Sequence, residues 1–413
     1  MQAIHLRIAA AIIGKSDHDN PADAVLRVEL KNQRELSAES SRAISRAVFA
    51  YYRWREWLGD QPMTDQLVQA VDLQERFALR YSQRQNREAE LPPPFTDAEL
   101  SAKAVPSWVA DEVTFSPEWL RALQLEPTPW LRARPGHGSE LANKLRGCKP
   151  PAPVSRHVGG DEDNKLSGQS EGLLADTLEY VGEQDLFRTA EFHAGEFEIQ
   201  DISSQCVGLL CDPKPGETWW DACAGEGGKL LHLSDLMCNR GLIWASDRAE
   251  WRLKKLKRRT ARAKVFNYRS VLWEGGPKLP TKTKFDGVLL DGPCSGLGTW
   301  QRNPQARWTV SPQDVRELSQ LQSRLLAHAA PAVKPGGKLI YAVCTLTRAE
   351  TIDVARSFES AFPQFQPLPL PNPFLPNAPA SNPVWIWPQD DGGNGMFICA
   401  WRRVSTENGA ETK

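Results

Sequence analysis

Apolar residues recur every three or four positions through the first 90 residues of the chain. This spacing places them on one face of an α-helix, and it runs through PADAVLRVEL, AESSRAISRAVFAYYRWREWLG and TDQLVQAVDLQERFALRYSQ. Ser37 and Asp65 lie at the start of two of these segments, where capping residues are expected. The prolines of LPPPF at 91–95 then break the pattern. The sequence predicts an all-helical unit over residues 1–90, followed by a linker.

The pattern changes from residue 201, where short apolar runs alternate with amphipathic segments. The apolar runs predict strands at 217–221, 242–246, 265–271, 285–290 and 338–343. The amphipathic segments predict helices at 228–239, 248–263 and 312–329. This alternation is typical of a Rossmann-like α/β domain with a doubly wound, mostly parallel sheet, which we place at 201–405. The mixed region 96–200 predicts a small α/β connecting subdomain with loops, and 406–413 a disordered tail.

Composition narrows the class of protein. The 413 residues are 41% hydrophobic and 24% charged, with a net charge of −1, so any affinity for a polyanion must come from a local patch. The eight cysteines form no CxxC pair, and we expect no metal site. Arg7 interrupts the N-terminal apolar run, and no apolar run is long enough to cross a membrane. We expect a cytoplasmic, monomeric protein.

A glycine-bearing turn in WWDACAGEGGKLLHL lies between a predicted strand that ends at Asp221 and a helix. Such a turn lets a ligand approach the backbone and the free N–H groups of the helix start, and Asp247 ends the next strand, where a carboxylate can bind ribose hydroxyls. The turn lacks the GxGxxG pattern, and Glu226 would lie badly against the pyrophosphate of NAD. S-adenosylmethionine is cationic and has no phosphate, so the sequence favours a methyl donor. Glycines that serve only helix packing are the alternative.

Two cysteines follow predicted strands, Cys294 in LLDGPCSGLG and Cys344 in YAVCTLTRAE. Neighbouring strands lie about 4.8 Å apart, so both thiols could face one substrate. A thiolate that adds to carbon 6 of a cytosine makes carbon 5 nucleophilic enough to take a methyl group, and a second thiol can help to release the product. Asp291 could hydrogen-bond the ring or the donor. The alternative is that Cys294 and Cys344 are simply small buried hydrophobic residues and that Asp291 caps a helix or a turn.

Four segments resemble, in order, motifs of the Fmu/Sun-type (NSUN/RsmB-like) RNA (cytosine-5) methyltransferases. They are GEFEIQDISSQCVG, DACAGEGGK, DGPCSGLGT and YAVCTLTRAE. The resemblance implies that Cys344 attacks carbon 6 and Cys294 assists release, with Asp291 and Lys229 in the catalytic set. The S-adenosylmethionine site that it implies would comprise Cys223, Ala224, Gly225, Glu226, Gly227, Gly228, Lys229, Asp247, Arg252, Glu274 and Asp291. Glu274 is our candidate for an acidic adenine contact after the third strand, with Asn267 as a weaker one.

This sequence departs from the family pattern at two motifs. Gly225-Glu226 replaces Ala-Pro, and Val-Cys-Thr with Glu350-Thr351-Ile352 replaces Thr-Cys-Ser with Glu-Asn-Glu, so different polar contacts should support the second cysteine. Upstream, residues 1–90 resemble the NusB-like RNA-binding domain of ribosomal-RNA members, with an unrelated helical bundle as the alternative. PEWLRALQLEPTPWLRARP resembles the segment that joins the two domains.

Two segments could hold RNA. WRLKKLKRRTARAK at 251–264 has eight basic residues in fourteen, which could neutralise phosphates or form an ordinary solvated face. GTWQRNPQARWT at 298–309 interleaves arginine with tryptophan, which suits the stacking of unpaired bases, and it is a candidate lid. The predicted RNA contacts are Lys254, Lys257, Arg258, Trp300, Arg302 and Arg307.

We therefore expect an S-adenosylmethionine-dependent RNA cytosine-5 methyltransferase acting on ribosomal RNA, of the 16S type. A transfer-RNA methyltransferase and a non-catalytic RNA-binding assembly factor are the alternatives. A DNA methyltransferase would use the Pro-Cys cysteine as its nucleophile and needs a Glu-Asn-Val segment, which the sequence lacks.

Overall fold

The computed structural model describes residues 1–33, 36–85, 95–151, 174–375 and 377–404. The predicted tail and part of the predicted linker and loop lie outside these residues. Within the described residues, no helix combines the length and the apolar character needed to cross a bilayer.

Helices make up the first part of the chain. They are α1 (Ala3–Lys15), α2 (Ala22–Asn32), α3 (Ala38–Trp54), α4 (Met63–Gln85), α5 (Asp97–Lys103), α6 (Val109–Glu112) and α7 (Pro117–Leu123). The apolar faces of α1, α3 and α4 meet in a core that includes Ile12, Ile44 and Leu67. Ser37 caps α3 as predicted, because its side chain accepts the Ser40 N–H. Asp65, the other residue predicted at a helix start, lies in the first turn of α4, which begins at Met63.

A small antiparallel sheet follows, with strand order β2-β3-β1-β4. Its elements are β1 (Trp130–Ala133), α8 (Gly138–Lys144), β2 (Cys148–Lys149), β3 (Thr177–Tyr180), α9 (Ala190–Ala194) and β4 (Phe197–Ile199). Leu131, Leu178 and Phe197 form its buried face. The carboxylate of Glu198 on β4 is almost fully buried and accepts from Arg259 and Arg262 at 2.8 and 2.6 Å, which ties this sheet to the next part of the chain.

The remaining elements build one larger sheet and its covering helices. They are α10 (Ile202–Cys211), β5 (Thr218–Asp221), α11 (Gly228–Leu236), β6 (Leu242–Asp247), α12 (Glu250–Arg262), β7 (Tyr268–Leu272), β8 (Phe285–Asp291), α13 (Ala306–Thr309), α14 (Pro312–Ala329), β9 (Val333–Val343), α15 (Ile352–Ala361), β10 (Phe365–Pro367), β11 (Val384–Ile386), α16 (Pro388–Asp391) and β12 (Met396–Arg403). The order is β10-β12-β9-β8-β5-β6-β7, and β11 pairs with β12.

The central strands β9, β8, β5, β6 and β7 are parallel, and β12 joins β9 antiparallel. Successive strand residues face opposite sides, so Trp219 and Leu289 pack with α10–α12 while Trp220 and Leu290 pack with α14 and α15. The connections after β5 and β8 leave in opposite directions, which opens a crevice at the carboxyl ends of these two strands. This sheet is the doubly wound, mostly parallel sheet that the sequence predicts.

The observed bounds agree best where capping residues mark them. Helix α14 covers the predicted 312–329, and Ser311 with Asp314 forms a capping box at its start. Strand β7 begins at Tyr268, three residues after the predicted start of 265. Strand β9 begins at Val333, five residues before the predicted start of 338. Its first half contains the KPGGK segment, which does not have a strand-like sequence but joins the sheet through a register shift opposite Phe285 and Gly287.

Candidate active site

A cleft of about 590 Å3 opens at the carboxyl ends of β5, β6, β8 and β9. This volume suits a small-molecule ligand, and the position is the one at which doubly wound sheets bind ligands. Of the residues predicted to bind a cofactor, ten line the cleft: Cys223, Ala224, Gly225, Glu226, Gly228, Lys229, Asp247, Arg252, Glu274 and Asp291.

The glycine turn after β5 shapes one wall. Gly225 has a φ of +54°, and a side chain there would meet no atom within 4 Å, so the turn leaves open space for a ligand. Its N–H donates to Asp247 Oδ2 at 3.0 Å, which fixes the turn to the end of β6. The prediction for Gly227 is wrong, because this residue does not line the cleft and lies against Leu256. Asn267 is also wrong as an adenine contact, since its side chain bonds Ser234 and Arg240.

Asp221 brings a buried carboxylate to the floor of the cleft. Only 1% of the residue is exposed, and no side chain among the described residues hydrogen-bonds either of its oxygens. Burial, reinforced by repulsion from Asp291, raises the pKa of Asp221 to about 8. A ligand that brings a positive charge or N–H donors would stabilise the ionised form of this buried carboxyl, so the site favours such a ligand.

Lys229 and Asp291 form an ion pair beside it. Lys229 Nζ donates to Asp291 Oδ2 at 2.6 Å, and only 11% of the lysine side chain is exposed. Burial lowers the pKa of Lys229, but Asp291, together with Cys344 and Asp221, outweighs it and the net shift is upward. The lysine therefore stays charged and holds Asp291 at the end of β8.

The two predicted cysteines meet across the ends of neighbouring strands. Strands β8 and β9 are paired in parallel, and the Sγ atoms of Cys294 and Cys344 lie 3.3 Å apart at the cleft wall. The hydrogen bond that Cys294 donates lowers the pKa of Cys344, with help from the charges of Lys229 and Arg302. The same contact, followed by burial, raises the pKa of Cys294 well above its ordinary value. Of the two sulfurs, Cys344 is therefore the one that loses its proton more readily, which suits nucleophilic attack by Cys344.

Helix α12 divides its basic residues between two tasks. Lys254, Lys257 and Arg258 are exposed, as an RNA contact requires. Arg259 and Arg262 turn to Glu198 instead. Lys255 pairs with Glu226 at 2.7 Å, so it neutralises an acid at the cleft rim.

The 298–309 segment is not a lid, and two of its predicted RNA contacts are wrong. Trp300 and Arg307 are 0% exposed, because helices of the first third of the chain cover this segment. Arg307 donates to the carbonyls of Ala104, Leu123 and Trp300, and the Trp300 ring lies edge-on to Trp108. Arg302 differs, since it is exposed and lines the cleft.

Several residues of this region were given no role from the sequence. Arg248 and Asn394 line the cleft, and Glu350 lies fully buried behind the cysteines. The hydroxyl residues Ser295 and Thr345, each directly after a cysteine, were the available signal for a shared acceptor such as Glu350. Among the described residues, no group of three or more His, Cys, Asp or Glu side chains is arranged to hold a metal.

Comparison with known proteins gives both a family and relatives. The family described as 16S rRNA methyltransferase RsmB/F matches residues 208–402. A probable ribosomal RNA small subunit methyltransferase B of Bacillus subtilis is 35% identical over 310 residues, which cover 70% of this chain and 67% of that protein. The corresponding protein of a Synechocystis strain is 44% identical over 164 residues, 38% of this chain and 36% of that one. The chain thus spans between about a third and two thirds of these relatives.

Solved structures share the fold. The structure of PH0851 has a TM-score of 0.73 at 22% identity, over 98% of this chain and 99% of that chain. A methyltransferase homolog protein from Pyrococcus horikoshii has a TM-score of 0.57 at 24% identity, over 76% of this chain and 100% of that chain. At these identities the likeness concerns the fold alone, and it confirms the Rossmann-like methyltransferase fold with a helical region before it.

Proposed function

Because this chain belongs to the 16S rRNA methyltransferase RsmB/F family, we propose that it methylates carbon 5 of a cytosine in small-subunit ribosomal RNA, with S-adenosylmethionine as the donor. The observation that carries the proposal is the 3.3 Å contact between Cys294 and Cys344 at a cleft that the glycine turn also lines. A cysteine of lowered pKa beside one of raised pKa suits covalent catalysis on a pyrimidine, because one can attack while the other keeps its proton.

The residues of the cleft fit the donor. S-adenosylmethionine supplies an electrophilic methyl group on a sulfonium and carries an ammonium group. Asp221 offers a carboxylate that no side chain among the described residues hydrogen-bonds, and Asp247 lies at the strand end where ribose hydroxyls bind in this fold class. Gly225 keeps the turn open, and Glu274 adds negative charge at the rim, while Glu226 is paired with Lys255. Because the rim carries both acidic and basic side chains, the buried carboxyl of Asp221 is the group that most favours a cation.

Cys344 acts as the nucleophile. Its thiolate forms a bond to carbon 6 of the cytosine, and the ring electrons move to carbon 5, which then attacks the methyl group. The bond between the methyl group and the donor sulfur breaks, its electron pair stays on that sulfur, and the donor leaves as a neutral thioether. Lys229 holds Asp291 in place, and the remaining oxygen of Asp291 can accept from the exocyclic amine of the base. Arg302 at the lip of the cleft adds positive charge beside the sulfur and can hold a phosphate of the extruded nucleotide.

Cys294 completes the cycle. Its pKa is high mainly because Cys344 holds its proton, with burial as the second cause. Once the sulfur of Cys344 is bonded to carbon 6 it is no longer negative, so the pKa of Cys294 falls and its proton can leave to water. The Cys294 thiolate then takes the proton from carbon 5, the electrons of that bond restore the ring, and the bond to Cys344 breaks. The attack by Cys344 thus allows Cys294 to act as the base that removes the carbon 5 proton.

Trapping tests this assignment. Cys294→Ala protein incubated with S-adenosylmethionine and small-subunit ribosomal RNA should accumulate a covalent protein–RNA complex, visible by denaturing gel electrophoresis, because the carbon 5 proton is not removed. Adding Cys344→Ala should abolish the complex. Cys238→Ala is the matched control, since this cysteine is exposed and lies outside the cleft, and it should turn over normally.

The other outcomes identify the rivals. A complex with transfer RNA, and none with ribosomal RNA, would move the substrate to transfer RNA. No complex with either RNA, together with tight RNA binding, would contradict catalysis and support a non-catalytic assembly role.

A further inference from the structure

Glu350 is a buried carboxylate with donors on every side. It is 0% exposed, and no ion pair among the described residues includes it. Its Oε1 accepts from Ser295 N at 2.8 Å and from Gln322 Nε2 at 3.0 Å. Its Oε2 accepts from the hydroxyls of Ser295, Thr347 and Thr345, the latter two at 2.8 and 3.3 Å. Neutral donors alone therefore compensate for the burial of this group.

The donors come from both cysteine loops. Ser295 directly follows Cys294, and Thr345 directly follows Cys344. Their hydroxyls also contact each other at 2.9 Å. Gln322 donates a further bond to the carbonyl of Pro293 at 2.8 Å, so the residues on both sides of Cys294 are held through this network. The main chain of Glu350 is fixed in turn, because Tyr341 donates to its carbonyl at 2.7 Å.

We propose that Glu350 is a positioning residue that sets the separation and orientation of the Cys294 and Cys344 sulfurs by binding the two loops that carry them. The proposal rests on the function proposed above for the cysteine pair. The charge of Glu350 acts in the same direction, since it contributes to the raised pKa of Cys294 and so keeps that thiol as the donor to Cys344. A displacement of the sulfurs by about 1 Å can lower the rate about a hundredfold. The hydrogen bonds that fix the two cysteine loops to Glu350 should therefore matter for turnover.

Glu350→Gln separates this role from general folding. The substitution keeps the shape but turns one acceptor oxygen into a donor that faces other donors. We expect kcat to fall about tenfold or more with the KM for RNA unchanged. Glu359→Gln is the matched control, because Glu359 accepts a single bond from Trp401 and touches neither cysteine loop. It should keep both parameters.

A second readout needs neither RNA nor methyl donor. Diamide removes two electrons and two protons from two thiols and joins the sulfurs, and at 3.3 Å the Cys294–Cys344 disulfide should form rapidly in the wild type. The rate should fall about tenfold or more in Glu350→Gln and stay unchanged in Glu359→Gln, measured by mass spectrometry of thiol-blocked peptides. Because this test requires no substrate, it distinguishes failure of the positioning role from failure of the proposed function.

Two results would overturn the proposal that Glu350 positions the sulfurs. An unchanged disulfide rate in folded Glu350→Gln protein overturns the proposal, even if turnover falls. If that variant does not fold, Thr347→Val decides, since it removes one donor to Oε2 and keeps the carboxylate. It should slow disulfide formation relative to Thr281→Val, a distant control whose hydroxyl contacts Thr283, and an equal rate in both overturns the proposal.

Discussion

Asp221 shows how a single buried group can link ligand binding to pH. Its carboxyl is protonated over most of the physiological range in the ligand-free protein, because burial raises its pKa to about 8. A cationic ligand favours the ionised form and lowers this pKa, so binding releases a proton at any pH below about 8. Affinity must then depend on pH in a direction that the structure fixes.

We predict that the affinity for S-adenosylmethionine rises with pH up to about 8 and levels off above it. Asp221→Asn should bind more weakly at pH 8 and lose the pH dependence. Isothermal titration calorimetry between about pH 6 and 9 measures both. Asp212→Asn, at an exposed aspartate that pairs with Lys214, is the control and should behave as the wild type. A pH dependence that persists in Asp221→Asn would contradict this role.

The same substitution has a second effect on the ligand-free protein. Since the pKa of Asp221 is raised above its ordinary 3.8 on folding, its contribution to stability is complete below that pH and is lost as the pH rises towards about 8. Asp221→Asn should therefore unfold at a higher temperature than the wild type at pH 8, with the difference shrinking towards pH 4. A carboxylate that costs stability without ligand is typical of a binding site.

At the scale of elements, local patterns predict structure where the signals are local. Ser311 and Pro312 mark the start of α14, and the apolar runs locate β5, β6 and β8 to within one residue at each end. Both cysteine loops and the glycine turn come together because parallel strands end at one edge of the sheet, a consequence of topology that the sequence already predicts.

The errors arise where distant parts of the chain decide the outcome. Trp300 and Arg307 have the composition of an RNA-binding loop, but helices more than 150 residues earlier bury them. The basic residues of α12 likewise have different partners. Arg259 and Arg262 form ion pairs with Glu198 on β4, which their own segment does not predict. Nothing within either segment shows which residues will be covered.

Three exposed basic residues of α12 are predicted to bind RNA. Changing Lys254, Lys257 and Arg258 together to Ala should weaken RNA binding and make it less dependent on salt, with the slope of log affinity against log salt reduced by about 2 units. The control is Lys214, Lys334 and Arg402 to Ala, which removes three charges from the opposite, amino-terminal edge of the sheet. Binding measured by fluorescence anisotropy at several salt concentrations compares them, and an equal loss in both triple variants would exclude α12 as a specific RNA contact.

At the scale of the whole molecule, the 298–309 segment joins the first helices to the part of the chain that forms the larger sheet. Arg53 on α3 donates to the carbonyl of Gln301 at 3.1 Å, and Trp308 donates to the carbonyl of Tyr52 at 2.6 Å. Gln305 accepts from the Ala22 N–H and donates to the carbonyl of Asp17. Because Arg302 lies in the same segment, these contacts also fix the lip of the cleft.

Arg307→Lys should test how much this packing contributes. Burial, followed by repulsion from Arg53, lowers the pKa of Arg307 well below its ordinary value, and three carbonyls accept from its guanidinium. A lysine keeps the buried charge but cannot reach all three acceptors, so the free energy of unfolding should fall by about 2–4 kcal/mol. Denaturant unfolding measures this. Arg324→Lys, at an exposed arginine of α14, should show no change, and equal stability of the two variants would contradict the argument.

The bond between Ala22 and Gln305 spans 283 positions, which has a consequence for synthesis. At about 5–20 residues per second, Ala22 is synthesised about 15 to 60 s before Gln305, which lies in the segment that packs against the first helices. During that interval the guanidinium of Arg53 cannot yet donate to the carbonyl of Gln301. The helices are synthesised first, but the segment that packs against them follows only after Cys294.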